Sequence, residues 1–494
     1  MKKLLILFSL ALLTVFSVKL FSIVNASTVT QSITEPSFYL GGIQVNEPDV
    51  KEWIKGLKKA DMNTVAVTVY AKQGDWDSDN LWFDETNEGV IQEIREAKAQ
   101  NMHVTLILRV ALDHAFERNE FLWHGLIMPK TAADLDSWFA KYTDFVETWA
   151  TIAQQENVDV LGIGSEMNSL TSTEPLQDLP GLVEYYMDEE KQQELKQEFL
   201  SNRDRVSVDD LWVSSGRQFE TLDAFLDARL NAWQGWARQV SGIESDGVVG
   251  NGVESDGVVG SEIAGSTEEN LEYRVALMNQ RRHLLENHWR KLIRQTRSLY
   301  QGQLTYAANF DQYHEVTFWD ALDFMGVNAY FSLRSDLPSA NPASGAASTP
   351  ESRDNEQLLS QLKDGWQIVL SDLEAFRQDN YITDKPVIFT ELGYTYRTNS
   401  TIAPWAYDKV TLIDLDDNQD LLLANEQNVD FEERTLAMKA LHQVSSTDYP
   451  DLLDGILYWK LSTQPNHFDI EPFVLILNDS PQDPLQDALK QFRE

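Results

Sequence analysis

The feature that most constrains this chain is a recurring unit. A short β-branched, apolar run is followed by a segment of helical periodicity, and the unit repeats along the sequence. Residues 38–45, 64–70 (TVAVTVY), 103–110 (HVTLILRV) and 158–165 (VDVLGIGS) read as the first four strands. Residues 303–309 (QLTYAAN), 324–330 (FMGVNAY), 386–390 (PVIFT) and 455–460 (GILYWK) complete a set of eight. Helical segments are predicted over 90–100, 131–155, 355–379 and 431–445. Continuous apolar strands alternating with helices require a parallel sheet covered on both faces. Eight such units predict an α/β fold of the (β/α)8 TIM barrel type over residues 37–494, with chemistry at the C-terminal ends of the strands. An open doubly wound sheet is the rival, but it would carry a Gly-rich phosphate loop after an early strand, and the sequence has none.

One connection departs from the pattern. The chain between strand 4 and strand 5 is far longer than a loop and one helix need, so residues 175–270 read as a large insertion within the barrel. A charged helix is predicted over 188–204 and a Trp-bearing amphipathic helix over 221–240. Between Glu244 and Gly260 the heptapeptide ESDGVVG occurs twice, which is too few copies for a solenoid and suits a Gly-rich loop or hairpin. A long basic helix over 271–300 leads into strand 5. Residues 335–352, rich in Pro, Ala and Ser, form a second long loop.

The N-terminus sets an expectation about compartment. Lys2 and Lys3 precede an apolar run over 4–18, and Val24-Asn25-Ala26 offers small residues for cleavage, so residues 1–26 read as a signal peptide. The mature chain is then secreted or periplasmic, without stable membrane insertion; the alternative is an uncleaved N-terminal anchor facing outside the cytoplasm. The charge is strongly acidic: 78 Asp and Glu against 40 Lys and Arg, a formal −38. Such a field repels phosphate backbones, so no nucleic-acid partner is expected. The absence of Cys excludes disulfides and thiolate metal sites. Asp414, Asp416, Asn418 and Asp420 have the alternating spacing of a calcium loop, but Gln419 stands in place of the turn glycine and Asn425 in place of the closing glutamate. With no His-Glu-x-x-His either, no metal and no cofactor are expected.

Two glutamates carry the chemistry. Strand 4 ends in Gly164-Ser165-Glu166 and strand 7 in Phe389-Thr390-Glu391. Each apolar strand stops at a carboxylate, which is costly unless it faces the barrel mouth. Cleaving a glycosidic bond needs one carboxylic acid to protonate the leaving oxygen and one carboxylate to attack or stabilise the anomeric carbon. This placement on the fourth and seventh strands resembles clan A glycoside hydrolases, and most closely glycoside hydrolase family 113, a group containing β-mannanases. The resemblance also rests on Trp123-His124-Gly125, Trp138-Phe139-Ala140-Lys141-Tyr142 and Gly162-Ile163-Gly164-Ser165-Glu166. It continues through Leu304-Thr305-Tyr306-Ala307-Ala308-Asn309, Phe318-Trp319-Asp320-Ala321-Leu322-Asp323 and Gly326-Val327-Asn328-Ala329-Tyr330. The resemblance implies that Glu166 is the acid/base and Glu391 the nucleophile of a retaining hydrolase of β-linked neutral polysaccharide such as mannan or glucomannan. The chain departs from the family at one block: Trp-Arg-Gly there is Trp123-His124-Gly125 here, which removes a guanidinium able to hold a sugar hydroxyl.

Around this pair the sequence offers further candidates for substrate binding. Trp459 ends strand 8, where clan A barrels place the floor of the sugar subsite; a core role is its plain alternative. Asn309, Asn328 and Tyr330 close strands 5 and 6 and are able to bind sugar hydroxyls or cap the following loops, and the Tyr330 hydroxyl is placed to serve the nucleophile. Arg109 ends strand 3 and is able to pair with a catalytic carboxylate or with Asp113. Trp123 and His124 follow in the next loop and are candidates to line a subsite. The expected partner is a neutral polysaccharide or oligosaccharide. A hydrolase of another β-glycan and a non-catalytic carbohydrate-binding barrel at the cell surface both remain open at this level.

Overall fold

The computed structural model describes residues 38–74, 76–112, 124–129, 131–171, 212–214, 217–219, 267–334, 354–402, 404, 410–415, 419–424, 429–477 and 483–493. Eight strands form its centre: β1 (Tyr39–Gln44), β2 (Thr64–Gln73), β3 (His103–Leu112), β4 (Val160–Ser165), β5 (Gln303–Asn309), β6 (Met325–Asn328), β7 (Val387–Leu392) and β8 (Leu453–Ser462). Each pairs in parallel with its neighbours in chain order. β1 pairs in parallel with both β8 and β2, so the sheet closes on itself. This is the expected (β/α)8 barrel. At the closing seam a Cβ on Gly41 would lie 1.8 Å from the Thr64 carbonyl oxygen, so only glycine allows β1 and β2 to meet there.

The strands form where they do because both of their faces are buried. All six residues of β4 and all six of β7 are buried, as the unbroken apolar runs require. The helices are α1 (Val50–Lys59), α2 (Glu88–Ala99), α3 (Ala132–Gln155), α4 (Asn168–Thr171), α5 (Thr267–Leu299), α6 (Asn355–Asp379), α7 (Phe431–Asp448) and α8 (Leu485–Lys490). Side chains fix several of their starts. Asp49 caps α1 by accepting from the Lys51 and Glu52 amides, Thr131 accepts from Asp134, and Asp354 accepts from Glu356 and Gln357. The apolar stripes of these helices face the strands, with Trp53 of α1, Trp138 and Trp149 of α3, and Trp366 of α6 fully buried in one continuous core.

Two sequence features take other forms. Of the residues with calcium-loop spacing, Asp414 and Asp420 stand opposite each other on an antiparallel pair, Val410–Leu415 with Gln419–Ala424, and Asp416 and Asn418 lie outside the described residues. Within the insertion, Trp212–Ser214 and Arg217–Phe219 pair as a short antiparallel ribbon. The helices predicted over 188–204 and 221–240, the repeated heptapeptide, the loop over 335–352 and the N-terminal segment 1–26 lie outside the described residues.

Candidate active site

Glu166 is the first residue past β4, and its backbone is unusual. Its φ of 52° lies in the left-handed region, which costs a non-glycine residue roughly 1–2 kcal/mol. Such a conformation persists only where its surroundings enforce it. Here the Glu166 amide donates to the Ala307 carbonyl on β5 at 2.8 Å, and the Met167 amide donates to the Tyr306 hydroxyl oxygen at 2.8 Å. One turn on, Trp289 Nε1 and the Arg281 guanidinium of α5 donate to the Leu170 and Ser169 carbonyls at 2.8 and 2.7 Å. The helix that returns from the insertion therefore clamps the turn that aims Glu166.

Glu391 sits within β7 and is buried. The Tyr330 hydroxyl, just past β6, donates to its Oε2 at 2.7 Å. Arg109 on β3 forms an ion pair with its Oε1. Both contacts favour the ionised carboxylate. The Arg109 guanidinium also lies 5.3 Å from the centroid of the Trp459 ring, so one arginine links the nucleophile candidate to the aromatic surface at the end of β8. Immediately after Glu391-Leu392, a Cβ on Gly393 would come within 2.4 Å of the Trp459 carbonyl oxygen, so the ends of β7 and β8 approach as closely as a glycine permits.

The remaining sequence candidates fall in different places. Asn328 is fully buried: its Oδ1 accepts from Thr390 Oγ1 at 2.8 Å, and its Nδ2 faces Ser165 Oγ at 3.4 Å and the Glu166 carboxylate. It thus joins the β4, β6 and β7 ends. Asn309 is buried at the end of β5, and its Oδ1 accepts the Phe310 amide at 3.0 Å, a local loop contact. His124 lies in a short 3-10 turn after β3, with Nε2 3.0 Å from Glu166 Oε2. Trp123 lies outside the described residues.

The electrostatics of the two ends differ. Burial is the largest influence on the Glu166 carboxyl and raises its pKa. The His124 hydrogen bond, the His124 and Arg109 charges and the Asn328 amide outweigh it and hold the group below the ordinary glutamate range. Tyr330 is pushed well up, by burial first and by the Glu166 charge second, so it keeps its proton and remains a donor. The cluster brings together a carboxylate held by a tyrosine hydroxyl and a guanidinium, a second carboxylate 3.0 Å from an imidazole, and a half-buried indole, all at one end of the barrel.

The profile of Glycoside Hydrolase Family 113 matches residues 43–210 and 262–432. The chain belongs to this family. It is therefore placed among glycoside hydrolases, and the two matched stretches contain both Glu166 and Glu391. Among solved structures, a GH113 β-1,4-mannanase in complexed form aligns over 93% of this chain and 99% of its own, with a TM-score of 0.51 and 15% identity. The GH113 β-mannanase AaManA from Alicyclobacillus acidocaldarius, in complex with ManMIm, aligns over 93% of this chain and 97% of its own, with a TM-score of 0.50 and 13% identity. These likenesses concern the fold. No curated protein matches the sequence.

Within this family 113 barrel, three residues that sequence reasoning passed over join the site. Lys460 follows Trp459, and its Nζ lies 3.7 Å from the centroid of that indole and 3.5 Å from the Gln44 carbonyl oxygen. Burial first, then the Arg109 charge, lower its pKa to about 8, against an opposing pull from Glu471. Glu471, in the loop after β8, also acts on Tyr330. Tyr306 on β5 fixes the turn after Glu166 through its hydroxyl oxygen. Adjacency to Trp459 was a usable signal for Lys460; Glu471 ends none of the eight strands read from the sequence and left none.

Proposed function

We propose that this family 113 chain is a retaining hydrolase of β-linked mannan or glucomannan, with Glu391 as nucleophile and Glu166 as acid/base. The observation that carries the reading is the treatment of Glu391. It is a buried carboxylate held by one ion pair and one tyrosine hydroxyl, the setting a nucleophile needs to stay ionised and oriented. A sugar bound over Trp459 would present its anomeric carbon to Glu391 Oε, while Glu166 protonates the departing oxygen. The bond from anomeric carbon to leaving oxygen breaks as the bond to Glu391 forms. Water then attacks the same carbon, gives its proton to Glu166 and releases Glu391, so configuration is retained. The Arg109 and Tyr330 contacts stabilise the carboxylate that leaves in this second step.

A panel of neutral β-glycans, with chromatography of the products and proton NMR of the first anomer released, tests the proposal. The expected result is cleavage of mannan or glucomannan with retained configuration, and no turnover by Glu391→Ala. Cleavage of cellulose or xylan alone would overturn the substrate assignment, and an inverted first product would overturn the mechanism. The enzyme is further proposed to act outside the cytoplasm after loss of residues 1–26, which mass spectrometry of the mature N-terminus checks. An intact Met1 on membrane-bound protein would favour the anchored form.

A further inference from the structure

The loop after β3 comes back against the acid/base candidate: His124 Nε2 lies 3.0 Å from Glu166 Oε2. An arginine there would be permanently charged, whereas an imidazole exchanges its proton near neutral pH. Both side chains are largely withdrawn from solvent, at 16% and 12% exposure, so a proton shared between them is shielded from bulk water. We infer that His124 is a positioning residue that stores the catalytic proton for Glu166, so that the His124–Glu166 pair, and not Glu166 alone, sets the upper pH limit of the reaction. The inference rests on the reading of Glu166 as acid/base.

Among the described residues, the other charged and titratable groups that act on Glu166 do not supply that proton. Arg109 on β3 is committed to Glu391 on β7. Tyr306 on β5 and Tyr330 just past β6 are both driven upward by burial and stay neutral. Asn328 contributes only an amide. The direction of the Glu166 shift agrees with this arrangement: the hydrogen bond and charge of His124 favour the ionised carboxyl against its burial.

The proton balance closes over the cycle. In glycosylation the His124 imidazolium passes its Nε2 proton to Glu166 Oε2, and the carboxyl delivers a proton to the glycosidic oxygen as the anomeric C–O bond breaks. The leaving group departs as an alcohol, and the imidazole is neutral. In deglycosylation Glu166 takes a proton from the attacking water and returns it to His124, which restores the starting state. Two groups coupled this closely lose protons in two steps that belong to the pair, and the second step removes the last catalytic proton.

The test is the pH profile of kcat/KM for His124→Asn on a glycan that the wild-type chain cleaves, beside Glu166→Ala, with circular dichroism as the folding control. The expected result is a basic limb displaced to lower pH by about one unit or more, with KM changed less than about threefold, because Glu166 alone must then hold the proton. An aryl glycoside with an activated leaving group should lose far less activity, since it needs little protonation. An unmoved limb, or one displaced to higher pH as expected if His124 only depresses the carboxyl, would overturn the inference. His124→Gln, also uncharged throughout, gives the same comparison where His124→Asn folds poorly. A Glu166→Ala variant with undiminished activity would instead overturn the two-glutamate reading, so the two failures are distinguishable.

Discussion

The Tyr330 hydroxyl donates to Oε2 of Glu391 at 2.7 Å, tying the end of β6 to the carboxylate on β7. A hydrogen bond to a charged group contributes about 1.5–3 kcal/mol. If it strengthens as Glu391 is released in the second step, Tyr330→Phe should lower kcat about 10- to 100-fold with a smaller change in KM. Steady-state kinetics on the glycan identified by the panel checks this. A loss below about threefold would show that the hydroxyl serves only to pack the site.

Arg109 and Glu391 form a buried ion pair, and removing one partner of such a pair is expected to cost about 3–5 kcal/mol. Arg109→Met should therefore lower the thermal midpoint clearly, because Glu391 is left charged and unpaired. Arg109→Met with Glu391→Gln should recover part of that loss, although both variants are inactive. Equal midpoints for the single and double variants would mean that the pair is not coupled in the folded protein.

The Trp459 ring centroid lies 5.3 Å from the Arg109 guanidinium and 3.7 Å from the Lys460 Nζ. If the indole is also the sugar platform, Trp459→Ala should raise KM about tenfold or more and weaken binding of oligosaccharide products. Calorimetry with a mannooligosaccharide on the Glu391→Ala background separates binding from turnover. Unchanged affinity would assign the ring to the core instead.

Stability should carry a pH signature from a residue outside the site. Glu93 on α2 is buried against Gln44 and Trp53, which donate to it at 2.6 and 2.9 Å. Burial, the largest cause, raises its pKa to about 7, opposed by these two hydrogen bonds and aided by the Glu47 charge. A carboxyl raised above its unfolded value contributes stability that is full below the ordinary glutamate range and is lost as pH rises through about 7. The loss is on the order of 3 kcal/mol by pH 8. Glu93→Gln, neutral throughout, should lack this decline, so its thermal midpoint should gain on the wild type between pH 5 and pH 8. A constant difference over that range would show that Glu93 stays ionised at low pH.

Much of the barrel was legible because its strands are buried on both faces and read as unbroken apolar runs. β4 and β5 end at the residues the pattern indicates, and β7 extends two residues further, through Glu391 to Leu392. α1 was passed over although Asp49 and the spacing of Trp53, Ile54 and Leu57 mark it; its lysines mask the apolar stripe. Strand ends identified Glu166 and Glu391, and strand order brought Arg109 and Tyr330 within reach of the latter. His124 read as a subsite residue because its neighbour in space, Glu166, is 42 positions away, and no sequence period reports where a loop folds back. Glu471 escaped for the same reason.

Glu391 is proposed to attack the anomeric carbon. Incubation with an activated 2-deoxy-2-fluoro-β-mannoside, followed by proteolysis and mass spectrometry, tests it most directly, because the fluorine slows release of the covalent intermediate. One sugar per chain on the peptide bearing Glu391, and none on Glu391→Ala, is the expected result. An adduct on another carboxylate, or hydrolysis of this substrate by Glu391→Ala at the wild-type rate, would contradict it.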